Sequence, residues 1–191
     1  QNQTNAGSYN ATFTLKDTTN TVWSGNTTAA KTVSWTIAKA AAPTITLSAA
    51  SGSVTYNSTA TFTAKTSIAG TLTTTSGNTS YVTITGNSSV TAAANTAYTI
   101  TYKGVAYNAS AITLTVKYTS TNYADASKTF SATVNKLTLT VPSQSGSLTY
   151  SGSAQSPSWS NYNTTYMTIG GTYQNQTNAG SYNATFTLKD T

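Results

Sequence analysis

Only three carboxylates occur in this 191-residue chain, Asp17, Asp125 and Asp190, and there is no His, Cys, Glu or Arg. General acid–base catalysis needs a His or a carboxylate tuned by its surroundings, and a nucleophile needs a base beside it. Isolated aspartates supply neither. Zinc takes Cys or His ligands, and calcium takes several acidic oxygens converging on a loop, so neither ion finds a ligand set. The residue types thus predict a non-enzyme with no catalytic residue, no metal site and no cofactor. An Asp–Lys pair, Asp17 with Lys16 and its counterpart Asp190 with Lys189, is the nearest approach to an acid-assisted Lys–Asn crosslink, which so few acids do not favour.

Nine Lys give a formal net charge of +6, but they are scattered singly. A nucleic-acid surface clusters its basic residues and favours Arg for bidentate contacts. No nucleic-acid partner is expected. Nor is membrane contact, since no apolar run approaches the length of a span.

Asn and Tyr carry what chemistry remains. Ten Asn-x-Ser/Thr sequons occur, in a chain more than a third Thr and Ser. Four of them, Asn57, Asn78, Asn87 and Asn163, fall in predicted turns and are the candidate sites for N-linked sugar. Thirteen Tyr and three Trp offer stacking surfaces. Trp35, Tyr56, Tyr98, Tyr102 and Tyr182 stand at inward phases of their segments and are expected in a core. Tyr162 and Tyr166 lie in loop-like surroundings and are the candidates to face a glycan or protein ligand.

These residues must be held by strands. Apolar and polar residues alternate with period two in Tyr9–Leu15, Lys31–Ile37, Tyr98–Tyr102, Ile112–Tyr118, Phe130–Val134, Leu137–Val141 and Tyr182–Leu188. Ser51-Gly52-Ser53, Ser76-Gly77-Asn78, Gly86-Asn87, Gly104 and Gly170-Gly171 read as the turns between them. No convincing helix is predicted.

Repetition sets the larger organisation. Residues 1–18, QNQTNAGSYNATFTLKDT, recur unchanged as residues 174–191, an offset of 173. Weaker likenesses subdivide that period. Ser51–Tyr56 resembles Ser145–Tyr150, and Lys31–Lys39 resembles Lys128–Lys136. With closing lysines at Lys39 and Lys136, the chain divides into the C-terminal half of a short domain (1–39), a complete longer domain (40–136) and the N-terminal part of the next short domain (137–191). The joints are short, with Pro43 restricting one of them, which predicts a stiff rod.

The run Asn178-Ala-Gly-Ser-Tyr-Asn-Ala184 resembles the approach to strand F of an immunoglobulin-type sandwich, where a tyrosine corner sits two residues before a Cys. The resemblance implies that Tyr182, and Tyr9 in the first copy, bond back to upstream backbone, with Ala184 in the place of the Cys. The longer domain carries Ile112 at the tyrosine position. More widely, Ser145–Tyr150, Met167–Thr172, Asn178–Asp190, Val22–Asn26 and Lys31–Lys39 are similar to bacterial Ig-like tandem repeats of the MBG type. That resemblance implies tandem β-sandwich domains stacked as an extracellular stalk, on a cell surface, an adhesin or a phage fibre.

The expected fold is therefore all-β, with tandem Ig-like sandwiches arranged as a rod. The expected function is a rigid stalk, spacer or fibre whose partners are neighbouring repeats of the same chain. Two alternatives stand beside it. One is a module that binds host or surface glycans, or a protein partner, through loop tyrosines. The other is a filament in which identical chains complete one another's sheets.

Overall fold

The structure is a computed structural model and describes residues 2–189. It is all-β, with fifteen strands and no helix among the described residues. Two compact units divide it, Gln1–Leu137 and Thr138–Thr191.

In the first unit, β1 (Gly7–Phe13) and β2 (Lys31–Ile37) form an antiparallel pair with Tyr9 opposite Trp35 and Thr12 opposite Thr32. Nine strands follow: β3 (Ile45–Leu47), β4 (Ser51–Thr55), β5 (Thr59–Thr66), β6 (Gly70–Ser76), β7 (Val82–Gly86), β8 (Ser89–Ala92), β9 (Tyr98–Gly104), β10 (Asn108–Thr119) and β11 (Ala126–Asn135). They make a five-stranded sheet, β4-β11-β10-β6-β8, and a four-stranded sheet, β3-β5-β9-β7. Only β4 and β11 run parallel among these neighbours.

Alternation puts one face of each sheet into a shared core. Along β10, Ile112, Leu114, Val116 and Tyr118 are buried while Thr113 and Lys117 are exposed. Phe62 of β5 stacks on Phe130 of β11 at 4.2 Å and 7°, and Tyr102 of β9 tilts against Phe130 at 5.6 Å. Those three rings join the two sheets. Fully burying one such ring contributes about 1.5–3 kcal/mol, so this cluster is a sizeable part of what holds the two sheets together. Tyr118 buries its hydroxyl as well, and donates it to the Ala69 carbonyl at 2.9 Å.

The link from β2 to β3 is clamped. Ala40 N–H donates to the Asn122 carbonyl at 2.8 Å, and Ala124 N–H donates to the Ala40 carbonyl at 2.9 Å. Lys39 Nζ donates to the Ser120 carbonyl at 2.8 Å, and Pro43 is buried. On the β1 side, Ala6 N–H and the Asn5 side chain both bond to the Asn122 amide, at 2.8 and 3.0 Å. One loop, residues 120–125, thus grips both the linker and the segment leading into β1.

The second unit is sparser. It pairs β12 (Ser143–Ser145) with β13 (Ser158–Ser160), and β14 (Met167–Gly171) with β15 (Ala184–Leu188). Its aromatic centre is Trp159, with Tyr173 at 6.0 Å and Phe186 at 5.1 Å, both edge-on.

Three sequence expectations need correction. Leu137–Val141 is not a strand, because no neighbour pairs with it among the described residues; Val141 is 79% exposed. Gly52 lies inside β4, Gly104 ends β9 and Gly170-Gly171 pair within β14, so none of these is a turn between strands. A Cβ on Gly52 would meet Phe130 and the Tyr102 hydroxyl at 2.9 Å, so glycine is needed for close approach to the rings. Trp35 and Tyr182 are 39% and 41% exposed, outside the core: Trp35 lies on a two-stranded sheet, and Tyr182 precedes β15, which begins only at Ala184.

Candidate functional site

The acids serve as local braces. Asp17 is exposed and accepts hydrogen bonds from Thr19 N–H, Asn20 N–H and Asn20 Nδ2, closing a turn. The bonds from Asn20 hold its carboxyl below the usual Asp range. Asp125 pairs with Lys117 at 3.0 Å and Lys39 at 3.7 Å, and the hydrogen bond from Lys117 lowers its pKa most. Asp190 lies outside the described residues. Lys189 Nζ is engaged by the Thr164 carbonyl at 2.6 Å. Among the described residues, no three His, Cys, Asp or Glu side chains converge as a metal site, and no helix is long and apolar enough to cross a membrane.

The four candidate glycosylation residues are all exposed and all sit at turns. Asn57 and Asn87 adopt left-handed backbone, φ 59° and 55°, which Asn tolerates better than most residues. Asn87 Nδ2 also donates to the Thr99 carbonyl at 2.6 Å. Asn78 and Asn163 accept from Ser80 and Thr165 N–H through Oδ1, so each closes its own turn.

Tyr162 and Tyr166 are half-buried. The Tyr162 ring lies 5.5 Å from Phe186 and is used in packing the second unit. Neither tyrosine reaches the concavity of this unit. That concavity has a volume of about 440 Å³ and is lined by Leu148, Tyr150, Trp159, Tyr173 and the run Asn178–Tyr182, among others. Trp159 Nε1–H is buried beside it and has no acceptor among the described residues.

Tyr9 and Tyr182 share one local geometry. The Tyr9 hydroxyl donates to the Asn5 carbonyl at 2.6 Å, and the Tyr182 hydroxyl donates to the Asn178 carbonyl at 2.8 Å. Their surroundings differ. Tyr9 is half-buried under Trp35, with ring centroids 5.1 Å apart, whereas Tyr182 lines the open concavity.

Sequence reasoning singled out neither Asn122 nor the Trp159–Tyr173 wall. Asn122 acts on residues more than eighty positions away, and nothing local marks it. The alternation that flags strands was absent around Trp159, where β13 is only three residues long.

Compared with protein-family models and with curated proteins, the chain matches none.

Proposed function

We propose that this chain is a segment of a non-enzymatic structural repeat: Ig-like β-sandwich domains of two sizes, alternating in tandem as a rigid extracellular stalk, spacer or fibre. The observation that carries the reading is the unchanged 18-residue recurrence at an offset of 173, since a chain that repeats itself over that distance is built to be extended. The clamp at Ala40 supports stiffness. A linker bonded on both sides of Ala40 to the 120–125 loop is not a free hinge. The corner-like bonds of Tyr9 and Tyr182 support Ig-like kinship.

Negative-stain images of a protein carrying four 173-residue repeats test it. Straight particles whose length grows linearly with repeat number are expected, and compact globules would remove the rod. Where the source organism has an N-glycosylation system, intact mass of the native protein reads out occupancy of Asn57, Asn78, Asn87 and Asn163.

Glycan binding is the second reading, and the aromatic concavity of the second unit favours it over Tyr162 and Tyr166. A glycan array probed with the four-repeat protein decides. Binding that Trp159→Ala abolishes would establish it, and silence at high avidity would end it.

A further inference from the structure

We propose that the parallel ladder between β4 and β11 is the mechanical lock of the longer domain, so that the chain carries tension as well as providing length. The proposal deepens the stalk reading and rests on it, since a stalk is pulled from both ends.

Tension enters this domain near Ala40 and leaves near Lys136. In the five-stranded sheet, β4 is the first strand of the chain and β11 is the last. The two lie side by side and point the same way, with Ser51 opposite Ser131 and Thr55 opposite Asn135. Pulling draws β4 toward its start and β11 toward its end, so the strands must slide along each other. Every bond between them is then strained at once. Were they antiparallel, both points of attack would lie at one end of the ladder and its bonds would open singly. All the other strand pairs among the described residues are antiparallel.

The register assigns the bonds. At one end Ser131 N–H donates to the Ala50 carbonyl at 3.0 Å, and at the other Tyr56 N–H donates to the Asn135 carbonyl at 2.8 Å. In a parallel ladder the bonds are evenly spaced, and alternate residues turn their N–H and C=O to the partner. Between the two ends, Gly52 and Val54 therefore each donate to β11 and accept from it. The N–H groups of Ser51, Ser53 and Thr55 face the other way.

The same segment is held again upstream. Ala40 bridges Tyr123 in parallel through its bonds to Asn122 and Ala124, and β3 then pairs with β5 of the other sheet. Residues 40–56 are thus bonded to both sheets. The core also backs the ladder. Val54 is buried, and Gly52 lies against the Phe130 and Tyr102 rings. Those rings keep water from the middle bonds on that face. A bond that water cannot reach gains no substitute partner as it stretches.

The chain has no Cys, so handles for force spectroscopy go on introduced ones. Ser51→Cys with Asn135→Cys pulls at opposite ends of the ladder, and Ser51→Cys with Thr129→Cys pulls at one end; all three positions are exposed. At equal loading rate the first geometry should rupture at about three times the force of the second or more, because sliding breaks the ladder together and peeling breaks it stepwise. Variants of the first geometry then isolate the bonds. Val54→Pro deletes the Val54 N–H and should lower the force by about half or more. Val54→Ala loses packing but keeps that bond, and Ser53→Pro removes an N–H that faces away from β11, so each should stay within about a fifth of the native force. If Val54→Pro does not fold, the comparison of the two geometries decides alone. Equal forces in the two geometries, or a loss in Val54→Ala or Ser53→Pro as large as in Val54→Pro, would each overturn the proposal. Globules on negative stain would remove the stalk and the tension with it, whereas rods in which both geometries rupture alike would remove the lock alone.

Discussion

Single atoms decide several positions. A methyl group on Gly70 would overlap the Tyr118 ring, which is fully buried and cannot move aside. Gly70→Ala should therefore destabilise the first unit by about 1–3 kcal/mol in urea unfolding, as overpacked cores do. Tyr118→Phe keeps the ring but removes the bond to the Ala69 carbonyl, which lies on an exposed residue, and should cost about 0.5–1.5 kcal/mol by the same measurement. Asp125 makes a pH prediction. Its pKa in the fold lies below the ordinary 3.8, so the folded state binds protons less readily than the unfolded chain. Its contribution is fully present above the ordinary value and is lost as pH falls through the depressed one. Unfolding of the native chain and of Asp125→Asn, compared from pH 7 down to pH 2, should show a gap that narrows only at the acid end. The pair is exposed, so the gap will be small.

At the level of elements, the Phe62–Phe130 stack is the seam between the sheets. Phe130→Ala should cost about 3–5 kcal/mol in chemical denaturation, because it opens a void where three rings meet. Asn122→Ala acts elsewhere. It removes side-chain bonds to Asn5 and Ala6, and hydrogen exchange at Ala6 N–H should accelerate while amides of β10 keep their protection. These two residues also mark the boundary of what was legible. Phe130 belongs to an alternating run, and period two says which side of a strand turns inward, so β2 could be anticipated in full, most of β9, and the inner parts of β10 and β11. Alternation says nothing about whether a partner strand exists or where a strand begins, which is why Leu137–Val141 misled and why Tyr182, placed in a strand by its pattern, lies outside β15. Gly52 looked like punctuation because a glycine has the same signature whether it bends the chain or lets a ring come close. Asn122 and the Trp159 wall left no local trace, since each acts through contacts distant in sequence.

For the molecule as a whole, the two units differ in how much they bury. Nearly all fully buried apolar side chains belong to the first unit, and Met167 alone represents the second among the described residues. Denaturation followed by hydrogen exchange should resolve two transitions, with amides of residues 138–189 losing protection first. Neither a reductant nor EDTA should move either midpoint, because the sequence has no Cys to oxidise and too few acids to hold a cation.

The 173-residue spacing of the two identical strands also orders events in time. At ribosomal rates of about 5–20 residues per second, the second copy emerges roughly 9–35 s after the first. All-β domains fold in milliseconds to seconds, so β1 meets β2 long before its twin exists to compete. Each newborn chain is thereby steered to its internal pairing.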